Sequence, residues 1–240
     1  MLDRFQHRSY EAELMDAPDV AREALFRNLH ELNFINRTLG GHSVTIKGMK
    51  ELITDKNKEY HIVDIGCGGG DAMIAIAEWA RRNVFKVKIT GVDINPHAME
   101  FANGYCKNYR EISCIQSDYK DYLTSGATVD IAHCALFCHH LKDQELVELF
   151  DRMANGSRVG FVINDLQRNW FAYHSIKVLT SFFSSSVLVK NDAPLSVLRG
   201  FSRDELLRML KSANVKDVYV AWKWAFRYLV VFKKNHENNL

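Results

Sequence analysis

Three carboxylates, two adjacent imidazoles and one run of glycines carry the chemistry legible in this chain. Asp64 sits in the apolar run Ile62, Val63, Ile65, and glycines follow at 66, 68, 69 and 70. A turn without side chains lets backbone approach a ligand, and the helix that opens at 71 leaves its first N–H groups free. A dinucleotide turn needs G-x-G-x-x-G. Counting from Gly66 gives Gly68 and then Asp71, so the third glycine is missing and NAD is disfavoured. A carboxylate two residues before the first glycine suits an ammonium group better than a pyrophosphate. Asp93 closes a second strand-like run, where such a fold presents an acid to ribose hydroxyls. Asp118 closes a third and can take the amino group of a base. The implied ligand has a ribose, a base and a cation, with no demand for phosphate contacts.

Proton acceptors lie beyond the fourth and fifth strand-like runs. His139 and His140 follow the fourth, Asp165 ends the fifth, and Tyr173 and His174 come soon after. The histidine pair reads equally well as catalytic or as a packed residue beside a helix cap; His174 reads more readily as a polar position on a packed helix. Cys134-x-x-x-Cys138-His139-His140 invites a metal, but no second ligand pair has zinc-site spacing, so none is expected.

The elements that position these groups alternate regularly. Pro18 suits a first helical position, with Asp16 or Ala17 as cap. Leu25, Leu29, Leu32, Ile35 and Leu39 then recur at helical spacing until Gly40-Gly41. A short helix covers 44–53, so residues 1–55 form a helical extension or lid before the main domain of 56–240. In that domain, strands are expected near 61–65, 85–93, 112–116, 128–134 and 158–163, with helices at 71–82, 96–108 and 142–154. This alternation implies an α/β fold, a mostly parallel sheet covered on both faces. A helical insertion at 166–200 breaks it. The insertion opens on an aromatic helix (Trp170, Phe171, Tyr173, Phe182, Phe183) and continues as a loop through Asp192, Pro194 and Arg199. Ser202 and Glu205 form a capping box, and the runs 215–222 and 226–232 read as an antiparallel hairpin.

The 240 residues carry a formal net charge of +2, and 47% are hydrophobic. That is ordinary globular usage, without a basic stripe for nucleic acid, a membrane-spanning run or a secretory h-region. Five cysteines, an odd number, in apolar contexts fit reduced thiols, and a cytoplasmic protein is expected. A homodimer is left open.

Taken in order, the motifs resemble those of the class I S-adenosylmethionine-dependent methyltransferases across residues 60–233. Val-Asp-Ile-Gly-Cys-Gly-Gly-Gly looks like the first motif, Gly-Val-Asp93-Ile-Asn-Pro the second, Ser-Asp118-Tyr the third, and Asp130-Ile-Ala-His-Cys-Ala-Leu-Phe-Cys-His-His-Leu the fourth. The fourth is similar to the ending seen in small-molecule enzymes such as those of quinone biosynthesis. The resemblance implies a Rossmann-like, seven-stranded sheet and S-adenosyl-L-methionine as cofactor. It places the methionine part of the cofactor at Asp64, Gly66, Cys67 and Gly68, and both ribose hydroxyls at Asp93. It places the adenine amino group at Asp118 and the ring between Ile94 and Tyr119, with Cys134 and Ala135 completing the wall.

The expected activity is methyl transfer to a small aromatic or polyketide-like metabolite, with oxygen favoured over carbon as acceptor. His139, His140 and His174 are the catalytic candidates. Trp170, Tyr173 and Arg199 are the substrate candidates, with Arg37 a further cation. The alternatives are an RNA or protein methyltransferase, or a non-catalytic S-adenosylmethionine-binding module. The Asn/Asp-Pro-Pro-Tyr signature of amino-group methylation is absent after the fourth strand.

Overall fold

The computed structural model describes residues 3–17 and 19–234. A seven-stranded sheet runs in the order β3-β2-β1-β4-β5-β7-β6. Its strands are β1 Glu59–Ile65, β2 Lys86–Asp93, β3 Ile112–Gln116, β4 Val129–Ala135, β5 Ser157–Leu166, β6 Val218–Lys223 and β7 Arg227–Lys233. The first five pair in parallel, and β7 is antiparallel to both β5 and β6. Strand order reverses between β1 and β4, and a crevice opens there at the carboxyl ends of the strands.

Alternation along each strand divides the core in two. Ile62, Ile89 and Ile131 face Val44, Met49, Met73 and Trp79, which come from α2 (Gly41–Leu52) and α3 (Asp71–Asn83). Val63, Ile65 and Cys134 face the other way, onto Leu146, Phe150 and Leu206 of α6 (Asp143–Gly156) and α9 (Arg203–Ser212). The parallel strands are therefore apolar on both faces. Helix α4 (Pro96–Cys106) packs against β2 and β3, and α1 (Arg22–Thr38) packs on α4. No helix among the described residues is long and apolar enough to cross a membrane. All five cysteines are free thiols.

Four expectations change. Pro18 lies outside the described residues, and α1 starts at Arg22 with Ala21 as its cap. Asp118 opens a short helix, α5 (Tyr119–Thr124), that has too few residues to show a period. The expected loop through Asp192 and Pro194 is helix α8 (Val187–Arg199), which follows α7 (Trp170–Phe183). Burial of Val189, Leu195, Val197 and Leu198 offsets the helix bond that Pro194 cannot make. Residues 1–17 read from their mixed polar sequence as a flexible arm or a lid, yet the described part is docked against the domain: Arg8 and Glu13 are buried, and the Asp192 carboxylate accepts from the N–H groups of Leu14 and Met15.

Helix α2 reaches the sheet through Gly48, where an added Cβ would overlap Val162 Cγ1 and crowd Leu229. Gly48→Leu is expected to lower stability by about 1–3 kcal/mol through overpacking, measured as a lower urea midpoint with an unchanged slope.

Candidate active site

The turn after β1 is shaped by three glycines with positive φ: Gly66 (+65°), Gly68 (+49°) and Gly70 (+81°). At Gly66 a Cβ would collide with the Phe137 ring, so this position requires glycine on two grounds. The turn is tied to β2 by the Gly66 and Cys67 N–H groups, which donate to the Val92 carbonyl. Asp93 accepts from Gly68 N at 3.0 Å and from Asn95 N at 2.9 Å. Burial still raises its carboxyl above the usual range, against those two donors. Further donors from a ligand would stabilise it as the carboxylate.

A cavity of about 560 Å³ opens over this turn. Gly66, Cys67, Gly68, Asp93, Ile94 and Ala135 line it, as the sequence suggests for cofactor contacts. Leu136, also on its wall, holds a positive φ of 54°, a strained backbone at the end of β4. Four candidate positions lie elsewhere. Asp64 is buried beneath the turn, its Oδ1 2.6 Å from His133 Nδ1. It shares the face of Ile62, so it points at α2, where Thr45 Oγ1 lies 3.2 Å from His133 Nε2. Asp118 does not line the cavity, and its carboxylate caps α5 by accepting from Lys120 N at 2.8 Å. Tyr119 stands behind the cavity wall with its ring edge-on to Phe137. Cys134 is fully buried and faces Met153 of α6.

Helix α7 lines the cavity with Phe171, Ala172, Ser175, Ile176 and Leu179. The proposed contacts Trp170, Tyr173 and His174 fall on its other faces. Trp170 packs on the exposed His174 ring, while Tyr173 is buried against Phe5 and Arg4. Arg199 is likewise no substrate cation. Its guanidinium donates to the carbonyls of Glu11, His139 and His140 and holds the loop after β4 to the N-terminal segment. Arg8 reinforces this clasp, donating to the carbonyls of Arg199, His139 and Leu141 and to Asp143.

The clasp brings in residues that sequence reasoning missed. Glu13 Oε1 is 3.6 Å from His139 Nε2, and Glu13 Oε2 is 3.8 Å from His140 Nε2. Each imidazole is held from behind: His139 Nδ1 by Asp165 at 2.7 Å, His140 Nδ1 by Asp16 at 2.9 Å. Burial favours neutral His139, but the charge and hydrogen bond of Asp165 and the nearby Glu13 carboxylate outweigh it and raise the imidazole to about 9. Burial would raise Glu13 too; the nearby imidazoles of His139 and His140 and the Ser196 hydroxyl instead hold it at about 2. The only signal in the sequence was the acidic pair Glu13 and Asp16, three residues apart beside two apolar residues.

Arg227, at the start of β7, was also missed. It donates to Asn36 Oδ1 at 2.7 Å, yet its Nε is buried without a partner. Burial lowers the guanidinium to about 10, against the charges of Asp165 and Asp71. An orphaned donor of this kind beside the glycine turn fits a carboxylate, and Asp93 fits a pair of hydroxyls. The residues present therefore suit both ends of S-adenosylmethionine.

Sheet order, glycine turn and acid at the end of β2 together define a class I methyltransferase fold. Residues 62–160 match the family model of a methyltransferase domain. Residues 62–160 are thus a methyltransferase domain, set in a sheet of the class I, S-adenosylmethionine-dependent type. It is similar to the carboxy-S-adenosyl-L-methionine synthase of Nautilia profundicola, 22% identical over 77% of this chain and 81% of that protein. It is also similar to the enzyme of the same name from Campylobacter jejuni, 24% identical over 72% and 76%. Among solved structures, the plantazolicin methyltransferase BpumL, with a desmethyl-plantazolicin analogue and S-adenosylhomocysteine, superposes at a TM-score of 0.64. It shares 15% identity over 89% of this chain and 95% of that one. Human N-acetylserotonin methyltransferase superposes at 0.61 with 14% identity, covering 90% of this chain, which spans 57% of the human protein's length. At these identities the structures speak for the fold, and the likeness to quinone-biosynthesis enzymes rests on the fourth motif alone.

Asp93→Ala and Arg227→Met are each expected to weaken S-adenosylhomocysteine binding by about 10–100-fold, the loss of one charge-assisted hydrogen bond. Isothermal titration measures this, with thermal melts showing that the variants remain folded.

Proposed function

We propose that this enzyme methylates a small apolar or aromatic metabolite, on oxygen in preference to carbon. The observation that carries the reading is the cavity itself: one continuous space joins the glycine turn and Asp93 to an apolar wall and then to a polar end at Glu13, His139 and His140. Leu25, Leu29, Leu32 and Ile35 of α1 form one side of that wall, and Phe171, Ile176 and Leu179 of α7 form another. Apolar walls with a few convergent polar groups suit a compact, planar acceptor rather than a nucleic-acid strand or protein tail.

When bound, S-adenosylmethionine supplies the methyl group: an acceptor oxygen forms the new O–C bond, the C–S pair returns to sulfur, and the hydroxyl proton leaves to solvent. The chain's own share is placement. Arg227 and Asp93 hold the two ends of the cofactor. The walls of α1 and α7 exclude water and set the plane of the acceptor. The polar end receives the acceptor's hydroxyl, and Asp165 and Asp16 fix the imidazoles that meet it. His139 and His140 are thus the candidates for contact with the reacting oxygen, and His174, facing outward, is not.

Purified enzyme is to be incubated with S-adenosylmethionine and a panel of phenols and hydroxylated polyketides, with products read by mass spectrometry. A methylated phenol is expected. The curated relatives are named carboxy-S-adenosyl-L-methionine synthases, so the cofactor is weighed in the same runs. A carboxylated cofactor with no methylated acceptor would overturn the reading. Ile176→Trp, which fills the wall, is expected to cut kcat/KM for the acceptor by about tenfold or more while S-adenosylhomocysteine affinity stays unchanged.

A further inference from the structure

We propose that Glu13, His139 and His140 bind a divalent first-row transition-metal ion, which holds the acceptor's oxygen at the polar end of the cavity. The proposal deepens the small-acceptor reading above and rests on it for the role of the ion, but not for its binding.

The geometry points to a metal in four ways. First, one donor atom from each residue lies within 4.8 Å of the other two. Second, the two imidazoles offer the same atom, Nε2, to the same carboxylate, at 3.6 and 3.8 Å. These separations exceed a hydrogen bond, yet approach the spacing of about 3.4 Å expected between ligands that share an ion at 2.0–2.1 Å. Third, both Nδ1 atoms are held by carboxylates, Asp165 and Asp16. That is the outer-shell arrangement that orients metal-bound histidines and leaves Nε2 as the ligand atom. Fourth, all three residues line the cavity, so the remaining coordination positions open toward the space for the acceptor.

Neighbouring cations do not displace the ion. The Arg199 Nε lies 3.9 Å from Glu13 Oε1, but its guanidinium is occupied by three backbone carbonyls. Ser196 donates to Glu13 Oε1 at 2.7 Å, which leaves Oε2 toward His140. Two imidazoles with one carboxylate favour zinc, iron(II), cobalt or manganese over magnesium or calcium, which prefer an all-oxygen shell. With an acceptor hydroxyl coordinated, the ion acts as a Lewis acid: the O–H proton passes to solvent at lower pH, and the freed pair on oxygen attacks the methyl carbon. No oxidation state changes.

The test uses the full chain, freed of metal with a chelator, without cofactor or acceptor. Cobalt(II) is added and followed by visible absorption, and zinc and manganese(II) by isothermal titration. One ion per chain and a cobalt band typical of imidazole ligation are expected. His140→Gln and Glu13→Gln should weaken binding by about 100-fold or more, and Asp16→Asn, behind His140, by about 10–100-fold. S-adenosylhomocysteine binding serves as the folding control, because Asp93 and Arg227 are unchanged. Absence of saturable 1:1 binding for all three ions would overturn the proposal, as would binding that survives both His140→Gln and Glu13→Gln. Methyl transfer that persists in full after metal removal would also overturn it while leaving the small-acceptor reading intact. Metal binding with no methylated phenol would sink that reading alone.

Discussion

A buried hydrogen bond between a carboxylate and an imidazole beneath the glycine turn sets the rest of the molecule in place. Asp64 and His133 are both almost wholly excluded from solvent, and a charge at that depth is tolerated only when paired and hydrogen-bonded. The pair spans two strands, since Asp64 lies on β1 and His133 opposite it on β4. Thr45 of α2 sits on the far side of the imidazole and also accepts from Asn164 of β5. Helix and three strands thus meet around one polar thread in an otherwise apolar core. A slip of one residue in β1 would turn Asp64 toward α6 and leave His133 unpaired. The level of the glycine turn above the sheet is fixed from below before any ligand arrives.

The same economy recurs at the other end of the cavity. His139 sits between Asp165 and Glu13, and His140 reaches Asp16. Carboxylates from strand and N-terminal segment meet imidazoles from the loop after β4. Arg8 and Arg199 spend their donors on the backbone carbonyls of that loop instead of on ligands. The loop is consequently held twice, through its main-chain carbonyls by the two arginines and through its imidazoles by the carboxylates.

The fold was largely legible because it rests on signals that are local. The 2.0 and 3.6 periods, the Asn95-Pro96 cap and the Ser202–Glu205 box all mark their elements within a few residues, and the structure keeps them. Legibility failed where placement depends on partners far away in the chain. Trp170, Tyr173 and His174 sit on a helix that is apolar around much of its circumference, so its sequence does not say which stripe faces the ligand. Phe171, Ile176 and Leu179 took that role because α8 and the N-terminal segment cover the other side. Asp64 and Asp118 take ligand roles from motif position, whereas the structure sets Asp64 against His133 below the turn and Asp118 at the cap of α5. Glu13 and Arg227 left little local trace, because their partners His139 and Asn36 lie more than a hundred residues away in the chain.

The clasp on the first residues has a consequence for the order in which the chain is made. Glu13 and Asp16 are synthesised before His139 and His140, and Arg227 after them. The N-terminal segment must therefore stay unclaimed until α8 supplies Asp192 and Arg199 to fasten it, and Arg227 reaches the glycine turn only when β7 inserts between β5 and β6. Long-range closures of this kind form late. A chain ended before α8 would carry all four motifs yet lack Asp192, Arg199 and Arg227, so the motifs alone do not assemble the cavity.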